Sequence, residues 1–367
     1  MEAKSEKYTV YDALYMRIKN VFKNNVRVYF SFSGGKDSLV IANALAELIE
    51  QGQIDGKMLS VIFIDEEAIY PCVEKIVRHW RKRFMLMGAK FYWVCLPIKH
   101  HNCVNMLSSD MSFICWDPKA KDRWVRDMPA EAITDHPDFK DGMTYQEFMD
   151  KLQSGIQIVG LRVDESLHRR QSIQRNGGVT YAGKVARVYP IYDWGDNDVF
   201  LYLWQKGVTL PDAYINMWKT GRGRRRLRMS QFFSVDTMPS LVSMMEYYPA
   251  LYERILKREP NAYIAALYYD TEMFRRSSSK RKSLEGDVDK DWRKAYHEAV
   301  TNDKYKVARR NEIKLTRNII LQHGNQLGQK EYKKMYEIVV AGDPKNRSIR
   351  ALMSHAVTQR KKRSEKD

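Results

Sequence analysis

Cysteine is scarce in this chain of 367 residues, and its scarcity excludes several kinds of protein. The four cysteines are Cys72, Cys95, Cys103 and Cys115, and no two of them form a CxxC pair. Such usage is typical of reduced thiols and argues against a disulfide framework. The intervals of 22, 7 and 11 residues between them also lack the close pairs that ligate iron–sulfur clusters, so we expect no cluster.

Long apolar runs are absent as well. No stretch approaches the roughly 18 apolar residues that suggest a membrane span. The N-terminal sequence MEAKSEKYTVYDALY lacks the basic segment followed by an apolar segment that is typical of a signal peptide. We therefore expect no membrane partner and a cytoplasmic, reducing location. The hydrophobic content of 44% is enough for one large core or two domains.

Acidic residues are few in the second part of the chain. Residues 1–200 contain 27 Lys and Arg against 26 Asp and Glu, whereas residues 201–367 contain 35 against 19. This asymmetry fits a neutral catalytic domain joined to a basic segment that binds a polyanion, most often nucleic acid. A solvated basic surface is the alternative.

Strand-like and helix-like segments alternate in the first half of the chain, from NVRVYFSF through DSLVIANALAELIEQG and KMLSVIFID to YPCVEKIVRHWRKRFMLMG and KFYWVCLPI. Alternation of this kind predicts an α/β fold with a doubly wound, mostly parallel sheet. Residues 98–153 interrupt the pattern, and we interpret them as an insertion over the active face. The pattern resumes with GIQIVGLRVDES and with GKVARVYPIYDWGDNDVFLYLWQKG, which leads into a helix capped near Asp196.

The pattern changes again at about residue 210, where the sequence becomes helical, basic and rich in aromatic residues. We therefore predict a first domain at residues 1–209 and a helical, basic C-terminal domain at residues 210–367. The last residues, QRKKRSEKD, are expected to form a disordered tail.

One turn of the first domain has the composition of a phosphate site. The strand VRVYF leads through SF into SGGKDS and then into a helix, and we name residues 33–38 the SGGKDS turn. A strand, a glycine turn and a helix N-terminus collect backbone N–H groups and the positive end of the helix dipole at one point. The sequence of this stretch does not match the Walker A pattern, and no protein-kinase motif is present.

The SGGKDS turn consists of six small or charged residues: Ser33, Gly34, Gly35, Lys36, Asp37 and Ser38. The glycines allow close backbone approach, the serines can donate hydroxyl hydrogen bonds and Lys36 supplies positive charge. Asp37 either holds Mg²⁺ or caps the helix. We expect the side chains of Lys36 and Asp37 to be exposed. A capped turn without a ligand is the alternative.

This turn and three further segments resemble the PP-loop ATP pyrophosphatase superfamily, whose loop reads S-x-G-G-x-D-S. VIFIDEEAIYP is similar to its second strand and acidic turn. GLRVDESLHRR and YPIYDWGDNDVFLYL resemble segments of the phosphoadenosine phosphosulfate (PAPS) reductase branch, which includes the sulfurtransferase-like subunit of DNA phosphorothioation systems. The basic C-terminal part resembles PAPS-reductase-like proteins of the immunoglobulin-binding regulator A type, commonly encoded beside a ParB-like partner.

The resemblance implies an adenine nucleotide alpha hydrolase-like fold that binds ATP, or a PAPS-like adenine nucleotide, with Mg²⁺ on Asp37. The SGGKDS turn would cradle the phosphates, and Lys36, Asp37 and Arg162 would be the catalytic residues. Five positions would contact adenine, ribose or phosphate: Ile64, Asp65, Gly160, Arg162 and Arg169. Attack on the α-phosphate of ATP with loss of pyrophosphate is then the expected reaction class.

The chain departs from the best-known activity of this branch. A PAPS reductase uses a cysteine in a C-terminal E-C-G-[IL]-H motif, whereas no cysteine follows Cys115 here. PAPS reduction by that route is therefore not expected. Two alternatives to adenylation stay open: a non-catalytic nucleotide-binding regulator that acts with a ParB-like DNA-binding partner, and a reductase or sulfurtransferase that uses a partner's thiols.

The insertion contains a second group of candidate residues. His100, His101, Cys103 and Cys115 could in principle surround Zn²⁺, although their spacing is poor, and buried thiols with ordinary loop histidines are the alternative. Cys115 could also be a sulfur carrier near an activated adenylate.

Two charged segments complete the set. Asp65, Glu66 and Glu67 end a strand at the carboxyl edge of the sheet, where they face either a ligand or solvent. The basic run GRGRRRLRMSQFF lies near aromatic residues, a combination suited to nucleic acid, although it could also cover the nucleotide or form a solvated face. The aromatic residues are Tyr214, Trp218, Phe232 and Phe233. The arginines expected to contact phosphates are Arg222, Arg224, Arg225, Arg226 and Arg228.

Overall fold

The structure, a computed structural model, describes residues 9–23, 27–105, 111–152, 155–165, 173–182, 185–220, 227–229, 231–234, 238–268, 291–307, 309–324, 327–343, 346 and 348–353. Its strands are β1 Val28–Ser31, β2 Leu59–Ile64, β3 Lys90–Val94, β4 Lys99–His101, β5 Ser112–Ile114, β6 Ile156–Val159, β7 Val179–Ala182 and β8 Val185–Val188. Its helices are α1 Val10–Phe22, α2 Lys36–Glu50, α3 Pro71–Leu86, α4 Tyr145–Leu152, α5 Asp196–Gln205, α6 Ala213–Lys219, α7 Met238–Tyr247, α8 Pro249–Arg258, α9 Asn261–Tyr268, α10 Trp292–Thr301, α11 Asp303–Lys306, α12 Arg310–His323 and α13 Gln329–Ala341.

Six strands form one sheet in the order β3-β2-β1-β6-β8-β7. The first five strands of that order run parallel, and β7 pairs antiparallel with β8 at the edge. A separate two-stranded sheet pairs β4 with β5. The predicted α/β fold with a doubly wound, mostly parallel sheet is confirmed. The edge strand β7 was not predicted from the sequence.

Burial explains why these segments form a layered sheet. All six residues of β2, LSVIFI, are buried, as is usual for a strand covered by helices on both faces. Helix α2 packs against α1, α3 and α5. Within this packing, Asn43 donates a hydrogen bond from Nδ2 to the Tyr202 hydroxyl of α5 at 3.2 Å. The middle of α2 is thereby fixed against α5.

Helix α5 begins at the residue that the sequence pattern indicated. Gly195 is its N-cap, and the Gly195 N–H donates to the Asp198 carboxylate at 2.8 Å. Asp196 is therefore the first helical residue and not the cap. Because Asp196 does not cap the helix, its carboxylate is available to pair with Arg162, which follows β6.

The chain divides into two compact units, the first formed by Met1–His100 with Phe113–Ala262 and the second by His101–Ser112 with Tyr263–Asp367. The first unit contains the six-stranded sheet. The second unit is mainly helical, and its buried core includes Trp292, Tyr296, Ile319, Met335 and Val339. The boundary at residue 209 that the sequence suggested marks a change of composition, whereas the division at Ala262 follows packing.

Among the helices that the structure describes, none is long and apolar enough to cross a membrane.

Candidate functional site

The carboxyl ends of β1 and β6 meet where the strand order changes direction. β2 and β3 lie on one side of β1, whereas β6, β8 and β7 lie on the other. Ser31 at the end of β1 is paired with Val159 at the end of β6. In open α/β sheets such a switch point forms a crevice in which ligands bind. The SGGKDS turn follows β1 at this point, and Arg162 follows β6.

The backbone of the SGGKDS turn requires glycine at its second position. Gly34 has a φ of +71°, and a Cβ there would lie 3.0 Å from Cγ1 of Val73. Helix α2 then begins at Lys36, with Gly35 as its N-cap and no side-chain cap. Because N–H groups in the first turn of a helix have no partner within the helix, this end of α2 is suited to an anion.

Gly160 allows the end of β6 to approach the same helix. A Cβ on Gly160 would lie 3.1 Å from the Ser38 amide nitrogen and 3.2 Å from the Asp37 carbonyl carbon. Those neighbours are backbone atoms of α2, which cannot move aside as a side chain can. The predicted residue Gly160 thus lies against the turn, with strand and helix in direct contact.

Two cations hold the Asp37 carboxylate. Lys36 Nζ donates to one oxygen at 2.9 Å, and Arg162 Nε donates to the other at 2.6 Å. Arg162 also donates from Nη2 to Asp196 at 2.7 Å and from Nη1 to the Trp194 carbonyl at 3.4 Å. Burial lowers the pKa of Arg162, but the charges of Asp37 and Asp196 outweigh that effect and raise it.

The expectation that the turn's charged side chains are exposed is wrong. Lys36 is 3% exposed and Arg162 is 2% exposed. Both are covered because their charged groups point inward to Asp37, and the Asp37 side chain is itself 16% exposed. Asp37 therefore neither caps α2 nor faces solvent. Arg162 lies near the turn, as predicted. Its guanidinium bridges the carboxylates of Asp37 and Asp196.

The described residues do not form a metal site of their own. Both carboxylate oxygens of Asp37 already accept hydrogen bonds from cationic groups. Nor does the described part of the chain contain a group of three or more His, Cys, Asp or Glu side chains that could hold a metal ion. This arrangement does not support Asp37 as a Mg²⁺ ligand, and it does not support zinc at His100, His101, Cys103 and Cys115.

A tyrosine from a later helix contacts the turn. The Tyr214 hydroxyl of α6 accepts a hydrogen bond from the Lys36 N–H at 2.9 Å. A Cβ on Gly35 would lie 3.2 Å from that hydroxyl oxygen, so glycine leaves the space that the hydroxyl needs. The sequence suggested Tyr214 only as one of several aromatic residues near the basic run.

A cavity of about 200 Å³ lies beside the SGGKDS turn. Its lining is mostly apolar and aromatic and includes Phe32, Ser33, Ile64, Glu66, Tyr70, Tyr145 and Phe232. Tyr145 comes from the predicted insertion, and burial raises the pKa of Tyr145 to about 12, with the charge of Glu66 adding to the effect. Sites that enclose a drug-sized ligand measure roughly 300–1,000 Å³, so this cavity suits one ring system of a larger molecule.

Asp65 and Glu67 face the protein interior. The Asp65 carboxylate accepts from Trp93 Nε1 at 2.8 Å and pairs with Arg126. Glu67 is also buried and accepts from the N–H groups of Trp116 and Val125 at 2.7 and 3.0 Å. These carboxylates tie the insertion to the end of β2. Contact of Asp65 with adenine through its backbone stays a prediction.

Arg258 completes this buried group. It donates from Nε to Glu67 at 3.0 Å and from Nη2 to the Ile114 carbonyl at 2.7 Å. Burial raises the pKa of Glu67, against the opposing effects of Arg258 and the two backbone N–H groups. Glu66 differs from its neighbours because it lines the cavity, where its carboxylate lies 3.8 Å from His100 Nδ1.

Cys115 is a buried core residue. Its thiol donates to the carbonyl groups of Leu96 and Ile98 at 3.4 and 3.3 Å. Burial raises the pKa of Cys115 well above its usual value, with Glu66 adding to the effect. A sulfur carrier needs an accessible thiolate, so this environment does not support that role.

Several residues of the sequence-based site lie outside the described residues: Arg169, Arg222, Arg224, Arg225 and Arg226. Arg228 is described and is half-buried. Of the aromatic residues near this run, Phe232 and Phe233 are buried, whereas Trp218 is 64% exposed. The interpretation that all four rings could stack on bases is therefore wrong for Phe232 and Phe233, which pack on Tyr70 and Phe113. It is also wrong for Tyr214, which is 4% exposed.

Comparison with known proteins finds similarity over more than half of the chain. The family model described as the phosphoadenosine phosphosulfate reductase domain matches residues 27–220, which is more than half of the chain. The chain is 31% identical over 237 residues to the uncharacterized protein YbdN of Escherichia coli (strain K12), covering 59% of this chain and 56% of YbdN. The chain thus spans little more than half the length of that relative.

Several solved structures are similar to part of this chain. A PAPS reductase from Candida auris has a TM-score of 0.37 and 14% identity over 60% of this chain and 89% of its own. An FMN adenylyltransferase from Candida glabrata, with FAD and inorganic pyrophosphate, has a TM-score of 0.32 and 15% identity over 58% and 63%. The U34-tRNA thiolase NcsA from Methanococcus maripaludis, with its [4Fe-4S] cluster, has a TM-score of 0.31 and 14% identity over 70% and 78%. The expected lack of a cluster in this chain stays a prediction.

Proposed function

The chain belongs to the phosphoadenosine phosphosulfate reductase domain family, and we propose that it binds ATP at the SGGKDS turn and cleaves it between the α- and β-phosphates. The observation that carries this proposal is the N-terminal end of α2, which lacks a side-chain cap and lies at the switch point of the sheet. Backbone N–H groups there can hold a departing pyrophosphate. The cavity beside the turn is the proposed place for the adenine ring.

The proposed reaction is adenylation. A nucleophile of the acceptor attacks the α-phosphorus of ATP and forms a bond to it. The bond between that phosphorus and the bridging oxygen breaks, pyrophosphate leaves with the electron pair, and the proton of the nucleophile passes to solvent. Lys36 lies at the turn and is paired with Asp37, so nucleotide phosphates would compete with that carboxylate for its charge. Arg162 would act through Asp37, because its guanidinium is buried between carboxylates. The absence of cysteine after Cys115 is the reason for not proposing PAPS reduction.

Calorimetry with ATP and Mg²⁺, combined with an assay for pyrophosphate, tests this function. Lys36→Ala with Asp37→Ala should abolish ATP binding, and circular dichroism checks that the variant is folded, because it removes a largely buried ion pair. Lys57→Ala with Asp55→Ala is the matched control, since it removes the same side-chain types from an exposed turn. If the Lys36 and Asp37 double variant binds ATP as the parent does, the proposal fails.

The same assay separates the other functions considered. ATP binding without pyrophosphate release, with every acceptor tried, would identify a nucleotide-binding regulator. Release of sulfite from PAPS in the presence of a dithiol would identify a reductase that depends on external thiols.

We also propose nucleic acid as a partner, on the strength of the excess of 16 positive charges in residues 201–367. A ParB-like protein is the second proposed partner, and it is supported by the resemblance of the C-terminal part alone. Binding of labelled DNA and RNA, with and without ATP, tests the first of these partners. No binding at low salt would rule it out.

A further inference from the structure

The Tyr214 hydroxyl has a hydrogen-bond donor that its protein contacts do not use. Its oxygen accepts from the Lys36 N–H at 2.9 Å, and within the described ranges its own proton has no acceptor. Tyr214 is 4% exposed, so bulk water does not freely replace that acceptor. Because buried polar groups are nearly always hydrogen-bonded, the unused donor here is available to a ligand atom.

The hydroxyl keeps its proton at neutral pH. Burial raises the pKa of Tyr214 well above its usual value, and the negative charge of Asp37 raises it further. The hydrogen bond from the Lys36 N–H has the opposite effect, which is smaller than that of burial. Tyr214 is therefore a neutral donor in the pH range at which nucleotide phosphates are anions.

The hydroxyl also lies at the positive end of α2. Lys36 is the first residue of the helix, and its N–H is one of the groups that an anion at this end would approach. An anion there has two possibilities: it displaces the hydroxyl, or it accepts a hydrogen bond from it.

The packing of α6 favours the second possibility. Ala213 and Met217 of α6 are buried with Tyr214, and Asn216 donates from Nδ2 to the Tyr248 hydroxyl at 3.1 Å. Displacement of Tyr214 would require this helix to leave those contacts. A hydrogen bond from the hydroxyl to the anion keeps those contacts.

We propose that the Tyr214 hydroxyl donates a hydrogen bond to a phosphate oxygen of the bound nucleotide while it accepts one from the Lys36 N–H. Tyr214 thus extends the positive end of α2 to the ligand and supplies a phosphate contact from outside the SGGKDS turn. This inference rests on the proposed nucleotide binding and assigns one of its contacts.

Tyr214→Phe is the direct test, with Tyr248→Phe as the control that removes a hydroxyl bound to the same helix. Calorimetry should show ATP affinity of Tyr214→Phe reduced about 10- to 100-fold, the range for a hydrogen bond to a charged group. Adenosine, which has no phosphate, should bind the variant and the parent equally. Tyr248→Phe should bind ATP within about twofold of the parent.

Each other result has a defined meaning. Unchanged ATP affinity in Tyr214→Phe would overturn the proposed contact, and tighter binding would show that the hydroxyl competes with the phosphate. Equal loss of ATP and adenosine affinity would show a structural role and would also overturn it. If Tyr214→Phe does not fold, Tyr214→Met, of similar length and also without a hydroxyl, is measured in its place. A parent protein that binds no ATP would refute the proposed function and this inference together.

Discussion

Asp37 and Arg162 are joined by a 2.6 Å hydrogen bond from Nε to the carboxylate, although 125 residues separate them in the chain. Arg162 also binds Asp196, the first residue of α5. One guanidinium therefore links the helix after β1, the segment after β6 and the helix after β8. The planar fork of arginine suits this bridge, whereas the single ammonium of lysine does not.

Arg162→Ala should lower the free energy of unfolding by about 3 kcal/mol, because it removes a shared cation from two largely buried carboxylates and leaves Asp37 with Lys36 alone. Arg162→Lys should recover less than half of that loss. Urea unfolding measures both variants. Arg83→Ala is the control, since Arg83 pairs with Glu50 at 2.8 Å on the surface, and it should cost less than about 1 kcal/mol. Equal losses for Arg162→Ala and Arg83→Ala would show that the bridge is not a stabilising element.

The sequence was sufficient to predict the SGGKDS turn because its signal is local. A strand, two glycines and a helix follow one another, and the backbone at Gly34 needs the φ that glycine provides. Arg162 was identified through a motif, but its partner Asp196 was not. That pairing depends on the order of the strands, which alternation of strands and helices does not specify.

Tyr214 and the buried carboxylates show a second limit of the sequence. The role of Tyr214 depends on the packing of α6 against the turn. The local sequence LPDAYINMW does not indicate which of its two aromatic residues contacts the turn. Asp65 and Glu67 stand at a strand end that usually faces ligands, yet Arg126 and Arg258 from distant segments pair with them. Residue type and position on a strand do not distinguish a ligand site from a structural ion pair.

Gly34→Ala should reduce both stability and ATP binding. Its φ of +71° strains any residue with a Cβ, and that Cβ would also lie 3.0 Å from Val73 Cγ1. Gly52→Ala is a matched control, because its φ is +68° and nothing lies within 4 Å of the added Cβ. The control should cost about 1–2 kcal/mol from strain alone, and it should leave ATP affinity unchanged.

Thermal unfolding and calorimetry on the two glycine variants measure these effects. A loss of stability in Gly34→Ala no larger than that in Gly52→Ala would show that Val73 moves aside freely. Unchanged ATP affinity in Gly34→Ala would argue against phosphate binding at the turn.

Glu67→Gln should loosen the insertion. The carboxylate accepts from the N–H groups of Trp116 and Val125 and from Arg258. An amide would direct an NH₂ group at a donor and leave Arg258 with only the more distant carboxylate of Glu259. We expect a loss of about 3 kcal/mol in unfolding free energy, as for other broken buried pairs. Limited proteolysis should then cut faster between residues 113 and 126.

Glu50→Gln provides the comparison for Glu67→Gln, because Glu50 forms an exposed pair with Arg83. Its proteolysis pattern should match that of the parent protein. If both variants are cut at the parent's rate, the insertion is held mainly by contacts other than Glu67.

The last prediction concerns the basic run GRGRRRLR, whose arginines Arg222, Arg224, Arg225, Arg226 and Arg228 were proposed to contact nucleic-acid phosphates. Neutralising all five should weaken binding to DNA or RNA and flatten its dependence on salt. Each lost phosphate contact should lower the magnitude of the log–log slope by about 0.7 to 0.9. A gel-shift titration across salt concentrations measures that slope.

The rival interpretation, that these arginines cover the bound nucleotide, predicts a different pair of results. ATP affinity should then fall in the five-site variant, with binding to nucleic acid little altered. A variant that neutralises Arg310, Lys314 and Arg317, which are exposed on α12, controls for a general loss of positive charge. If it flattens the salt slope as much per charge as the five-site variant, the basic run has no special role and the whole basic surface attracts the polyanion. If the five-site variant matches the parent in both assays, the run is a solvated surface, and the proposed nucleic-acid partner loses its main support.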